Sequence, residues 1–360
     1  MTQSHPESNL GTISLVVLAT LASGYTLYAL ADILTPPALA MFLAIVIDGF
    51  ARVLKAHLPW MPRRAAMPLA LTLSVLVFGA AMVIIAENGS SFVTQLITYT
   101  PRLNALIAKG AGLVHVDMAP TIDQLMRRIE PAKYLGTVAQ GAQAFASNAL
   151  FILIYLGFIM ASRHVFEKKL IALSPTRQER HDALAAFVRI RNGVEQYLWV
   201  QTVTGVMIAV ASWAAMAAFG LHNAIFWAFL IFVASYIPII GGAIGIVAPP
   251  VFALIQFEPY WPALVLFGLL QAIQFVVGNV ILPRMQGDSL NIDPVVVLLS
   301  LAFWGAIWGV TGMFLSTPLT VMAMVVLSQF PGTRWVAILL SANGNPMDGD
   351  PPPSVAQASG

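Results

Sequence analysis

"YIPIIGGAIGIVAPP", residues 236–250, decides how this chain folds. Three prolines and three glycines fall within fifteen residues of otherwise apolar sequence. Proline removes an N–H and clashes with the preceding turn, and glycine has the most backbone freedom to lose. Neither suits the middle of a helix. The surrounding chain reads as membrane-embedded. Of 360 residues, 58% are hydrophobic and 9% charged, against about 25% charged in a soluble domain. Mean hydropathy is +0.81. A soluble fold of this length has no interior large enough for that much apolar side chain. The sequence therefore predicts an all-α, polytopic helical membrane protein. An unpaired backbone N–H or C=O in hydrocarbon costs several kcal/mol. Helix breakers at that depth imply backbone facing protein or a wet cavity, where transporters with discontinuous helices build substrate sites.

Apolar runs able to cross about 30 Å of hydrocarbon, at about 1.5 Å per residue, lie at 11–31, 34–54, 65–86, 145–162, 196–220, 223–256, 261–282 and 294–330. That makes about eight transmembrane segments. Two have awkward lengths: 223–256 would form a helix of roughly 50 Å and 294–330 one of roughly 55 Å. Each carries breakers near its middle, Pro238, Gly241 and Gly242 in the first, Gly309, Gly312 and Pro318 in the second. Each reads as a broken helix or a re-entrant hairpin. Gly245, Gly305 and Gly309 also suit close helix packing. The expected layout is three helices in 1–86, an extracytoplasmic amphipathic insert in 87–144 and a span at 145–162. A cytoplasmic amphipathic region, 163–194, follows, then a bundle with the broken helices, 195–340. The tail, 341–360, has the composition of a disordered segment. Capping boxes at Thr121/Gln124 and Thr176–Glu179 mark helix starts in the two amphipathic regions.

Arg52, Lys55, Arg63 and Arg64, and the basic residues of 163–191, are expected on the cytoplasmic side. Three spans before residue 87 then put the N-terminus inside and the insert outside. An A-x-A pattern at Ala38–Ala40 does not read as a signal cleavage site. Residues 1–10 lack Lys and Arg, and the apolar run is too long, so 11–31 is expected to stay as a span. Beyond 220 two topologies remain. If 223–256 is one broken crossing, Glu258 is cytoplasmic and Asp288 periplasmic. If both long segments are hairpins, the two swap sides.

The chain has no cysteine, which excludes disulfides and thiolate metal sites. A net charge of +2 gives no argument for nucleic acid. No H-E-x-x-H, G-x-S-x-G or Walker motif is present, so no enzyme activity, ATP hydrolysis or cofactor is expected. Active transport would be secondary, driven by a gradient. Ionisable groups near spans are candidates for gating or ion coupling. Asp48 stands four residues before Arg52, and Glu195 four after Arg191. Each reads as an interfacial pair within its helix, or, if buried, as a proton or Na⁺ exchanger. Arg284, Asp288, Asp293 and Glu258 lie in short loops and read as solvated turns or a gate. Neutral amides Gln201, Gln271, Gln274 and Asn279 suit helix–helix contacts or a small hydroxylated solute. Tyr236, beside the break, would cap such a ligand or anchor at an interface. With Pro238, Gly241, Gly242, Gly309 and Gly312 they make up the candidate solute site.

The segments "YIPIIGGAIGIVAPPVFALIQ" and "NVILPRMQGDSLNIDPVVVLLSLAFWGAIWGVTGMFLSTPLTVMAMVVL" resemble hallmark segments of the AI-2E (autoinducer-2 exporter-like) family. The resembling positions are Ile237, Pro238, Gly241 and Pro249, then Pro283, Gly287, Leu290, Pro294, Trp304, Gly305, Trp308, Gly309, Gly312 and Pro318. "VEQYLWVQTVTGV", ahead of the fifth span, is also typical. The resemblance is strong after residue 190 and looser before it. It implies a bacterial inner-membrane protein in a lipid bilayer, exporting autoinducer-2 in some members. It implies Na⁺/H⁺ or Li⁺/H⁺ antiport in others, and homo-oligomers such as pentamers. A non-transporting envelope assembly factor, acting through the insert, is the alternative from another class.

Overall fold

The computed structural model describes residues 7–57, 68–72, 98–114, 147–162, 176–286 and 291–346, with isolated positions at 75–95 and 165–172. Its main helices are α1 (Glu7–Ala29), α2 (Ala31–His57), α3 (Thr100–Val114), α4 (Ser147–Ser162), α5 (Arg177–Ala218), α6 (Ala224–Ser235), α7 (Ile240–Gln256) and α8 (Trp261–Val276). A π-helical turn, Val277–Ile281, joins α8 to α9 (Leu282–Gln286). Then come α10 (Pro294–Ser328) and α11 (Arg334–Leu340). The described residues hold no β-strand, so the predicted all-α class is observed. Among the described residues, four helical stretches are long and apolar enough to cross a membrane: Ala31–Arg52, Ala183–Ala218, Trp261–Gln286 and Pro294–Ser328. Four shorter apolar helices accompany them. The start of α5 directly after Thr176 is where the second capping box put it. The first box, most of 65–86 and most of the 87–144 insert lie outside the described residues.

Two compact units divide the chain. One draws on Met1–Ala44, Ala149–Phe187 and Ile292–Met347, the other on Ile45–Asn148 and Val188–Asn291. In the second unit, the segment 223–256 is a helical hairpin. α6 stops because Pro238 has no N–H to offer the Ala234 carbonyl, which accepts instead from the Ile237 N–H at 2.8 Å. Ile239 then takes φ 65° and ψ −51°, and the Ile240 N–H bonds the Pro238 carbonyl at 2.7 Å. That is a γ-turn of the strained kind. The chain reverses, and the Trp227 and Phe252 rings meet at 5.6 Å. On a straight helix they would lie about 37 Å apart. At the open end the Gln256 amide donates to the Gly220 carbonyl and accepts from the His222 N–H, both at 2.8 Å. Trp227, Ile231, Phe252, Leu266 and Leu270 form the core between the arms and α8. At about 18 and 25 Å, neither arm matches a full hydrocarbon thickness.

Gly241 closes the tip. A Cβ there would overlap the Ala234 carbonyl oxygen, so the two backbones touch. Gly242 faces open space and Gly245 lies under Ile231.

The first unit holds a second hairpin of the same kind inside α10. Asp293 caps its first helix by accepting from the Val295 N–H at 2.7 Å, and Pro294 occupies the first helical position. The loop acid is therefore a helix cap. Gly309 breaks the helix with φ 60° and ψ −141°. The arms, 294–308 and 310–328, fold together: the Trp304 indole N–H meets the Thr320 hydroxyl at 3.2 Å. Sixteen residues of straight helix would put them about 24 Å apart. A Cβ on Gly312 would overlap the Trp304 carbonyl, and one on Gly305 would stand 3.0 Å from Met313. Ile292 and Ser341 form a bridge, so the segment leaves near where it entered. Trp308 also donates to the Leu27 carbonyl of α1 at 3.0 Å. Of the two readings of the long segments, the hairpin is the one observed in both.

Gly241→Ala and Gly312→Ala are expected to lower stability by about 1–3 kcal/mol each, since the overlapping partner is backbone and cannot move aside. Gly242→Ala should be neutral or raise stability by up to about 1 kcal/mol through helix propensity. Thermal unfolding of the three variants in detergent checks this.

Candidate functional site

The tip of the first hairpin gathers neutral polar groups, and the reason is local backbone chemistry. The positive φ of Ile239 breaks the hydrogen-bond ladder just after α6. The Gln201 side-chain amide, from α5, donates to the Ser235 carbonyl. One residue on, the Thr202 hydroxyl donates to the Leu198 carbonyl at 2.6 Å and contacts the Tyr236 hydroxyl at 2.7 Å. With its single proton committed to Leu198, Thr202 accepts and Tyr236 donates. Ser235 donates to the Phe232 carbonyl at 2.7 Å. Gly205, one turn along α5, permits this approach: a Cβ there would stand 2.6 Å from the Ser235 hydroxyl oxygen. Tyr236 is buried and its ring meets Phe232 edge-on at 5.7 Å. The result is a strip of hydroxyls and one amide beside irregular backbone.

Of the residues singled out in the sequence, Gln201, Tyr236, Pro238, Gly241 and Gly242 come together here. Gln274 does not reach the tip; its amide lies over Gly245, where a Cβ would stand 2.9 Å from it. Gln271 is exposed. Asn279 sits in the π-helical turn and bonds its own helix, at the Phe275 carbonyl, at 3.2 Å. Gly309 and Gly312 shape the second hairpin in the other unit. Arg284 is exposed on α9, and Asp288 lies outside the described residues. Thr202, Ser235 and Gly205 were missed. The signal for Thr202 and Gly205 was their helical spacing with Gln201 on one face of α5; Ser235, on α6, carried none. A separate groove of about 330 Å³, lined by Ala209, Val210, Trp213, Ile225, Phe229 and Phe232, is apolar and does not suit a polar solute.

Glu195 pairs differently from expectation, whereas Asp48 acts on Arg52 as its spacing implies. Arg52 bridges across helices to Glu195 rather than being partnered within α2 alone. Gly49 makes room: a Cβ there would already stand 3.6 Å from the Glu195 Cγ. Asp48 and Arg191 both act electrostatically on the same guanidinium, which is half exposed. Glu195 thus serves a fixed cation. Among the described residues no cluster of three metal-ligating side chains occurs.

The open end of the hairpin is strapped by α3 and by Gln95 and Tyr99 ahead of it. Tyr99 bonds the His222 ring at 3.1 Å, and Gln95 accepts from the Asn223 amide at 3.0 Å. The Arg102 guanidinium donates to the Phe257 and Glu258 carbonyls at 3.3 and 2.7 Å. Lys109 bonds the Tyr260 hydroxyl at 3.2 Å, and both cations lie over the Tyr260 ring. Glu258 therefore contributes its carbonyl to a joint between insert and hairpin.

A profile described as AI-2E family transporter matches residues 15–332, which include both hairpins and the α5 polar strip. The chain belongs to the AI-2E transporter family. It is 29% identical to the AI-2 transport protein TqsA of Escherichia coli K12 over 321 residues, 86% of this chain and 90% of that one. It is 28% identical to the putative transport protein YhhT of the same strain over 326 residues, 87% and 89% of the two chains. A putative transport protein of Haemophilus influenzae is 29% identical over 322 residues, 86% and 90%. As an AI-2E member with several apolar helices, the chain is a multi-pass membrane transport protein.

Gln201→Leu should leave the Ser235 carbonyl without its partner and lower stability by about 1–3 kcal/mol. Gln271→Leu, on an exposed face, should change stability by less than about 0.5 kcal/mol. Denaturation of both variants in matched micelles compares the two.

Proposed function

We propose that this AI-2E member is a secondary transporter that exports a small polar organic solute across the bacterial inner membrane. The observation that carries this reading is the strip of Gln201, Thr202, Ser235 and Tyr236 beside the hairpin break. Neutral donors and acceptors match a hydroxyl-rich solute without holding an ion tightly. Autoinducer-2 is the first cargo to test, because a relative of comparable length is named an AI-2 transport protein. The exchange of Na⁺ or H⁺ through Glu195 has less support, since that carboxylate is engaged by Arg52.

The same reading carries a proposed topology. With the N-terminus taken as cytoplasmic and the insert as outside, the α3 strap supports a hairpin mouth, and Glu258, on the outer side. The helical run Trp261–Gln286, about 39 Å long, then crosses, which leaves Asp288 cytoplasmic. Single cysteines in this cysteine-free chain test it: an impermeant maleimide added to intact cells should label position 258 and spare 288. The reverse pattern contradicts the topology. For function, proteoliposomes loaded with autoinducer-2 should show counterflow, abolished in Tyr236→Phe/Thr202→Val. Absence of counterflow for this and other small polyols counts against the reading.

A further inference from the structure

The two hairpins each reverse at a residue of positive φ, but with different ψ, −51° at Ile239 and −141° at Gly309. The second uses Gly309 at φ 60°, where no side chain strains. The first uses Ile239 at φ 65°, a β-branched residue in a conformation that such residues avoid. Strain of this kind persists where surrounding contacts over-determine it, and it concentrates at working sites. The contacts are present: Gly241 against the Ala234 carbonyl, Gln201 on the Ser235 carbonyl, and Tyr236 on Thr202. They fix the turn but do not require isoleucine, because glycine would fit it with less strain. The Ile239 side chain is not needed for packing either, being 64% exposed.

Resting on the transport reading above, we propose that Ile239 is the apolar gate of the solute path at this hairpin tip. It stands three residues beyond Tyr236, in the turn that directly follows the polar strip, with its side chain exposed. An apolar knob at such a point excludes water and holds back a polar solute that would have to shed its hydration to pass. The neighbouring hydroxyls then engage the solute once the tip moves.

Three variants separate side chain from backbone. Ile239→Gly removes the strain and the knob. Ile239→Ala keeps a side chain at positive φ but removes the bulk. Ile239→Leu restores apolar bulk. Erythritol entry into proteoliposomes, followed by light scattering, is expected to rise several-fold for Ile239→Gly and Ile239→Ala alike and to stay at the wild-type rate for Ile239→Leu. Melting should rise for Ile239→Gly, by about 2 °C or more, which shows that the leak does not come from unfolding. Equal entry in all four proteins overturns the gate and leaves Ile239 as a lipid contact. A leak in Ile239→Gly alone also overturns it, since backbone relaxation would then be the cause. Autoinducer-2 counterflow by the wild-type chain in the same vesicles reports on the transport reading by itself. Counterflow without a size-dependent leak defeats only the gate, whereas the leak without counterflow defeats only the cargo.

Discussion

Backbone that leaves the helical ladder inside hydrocarbon must find partners for its N–H and C=O groups. The tip at 236–241 meets that demand from three directions. The Ile237 and Ile240 N–H groups fold back on Ala234 and Pro238. Gln201 supplies the donor for Ser235, and the side chains of Thr202 and Tyr236 occupy each other. The Gln201 amide is thus first a structural necessity. In the transport proposed for this chain, the Thr202, Ser235 and Tyr236 hydroxyls gathered beside it would engage the solute.

Glycine does two separate jobs in these hairpins. Gly309 supplies a conformation, and Gly241 and Gly312 supply the absence of a Cβ where one arm's backbone meets the other's. Both hairpins place the close-contact glycine seven or eight residues beyond the carbonyl it touches, Ala234 for Gly241 and Trp304 for Gly312. The same closure rule operates in two units that otherwise differ in their capping and in the residue at the turn.

Much of the architecture was legible in the sequence. Helices of roughly 50 Å with central Pro and Gly could not be straight spans, and composition made the membrane unavoidable. The hairpin geometry was not legible, because periodicity reports a break but not the angle across it. That angle depends on Gly241 meeting Ala234 and on Gln256 reaching Gly220. The site was half legible. Gln201 and Tyr236 stood out as polar groups near breakers, but Thr202 and Ser235 looked like ordinary small residues until two distant helices met. Helical spacing put Arg52 near Asp48, yet the facing helix brought Glu195 to it. Pairing between elements is a tertiary fact that i, i+4 rules do not reach.

The central claim is that 223–256 turns back within the membrane. Spin labels at positions 224 and 256, measured by pulsed dipolar spectroscopy in liposomes, test it directly. A hairpin predicts a single short distance, under about 20 Å once the labels' own reach is included. A distribution centred near 48 Å, the length of about 32 residues of helix, would contradict it.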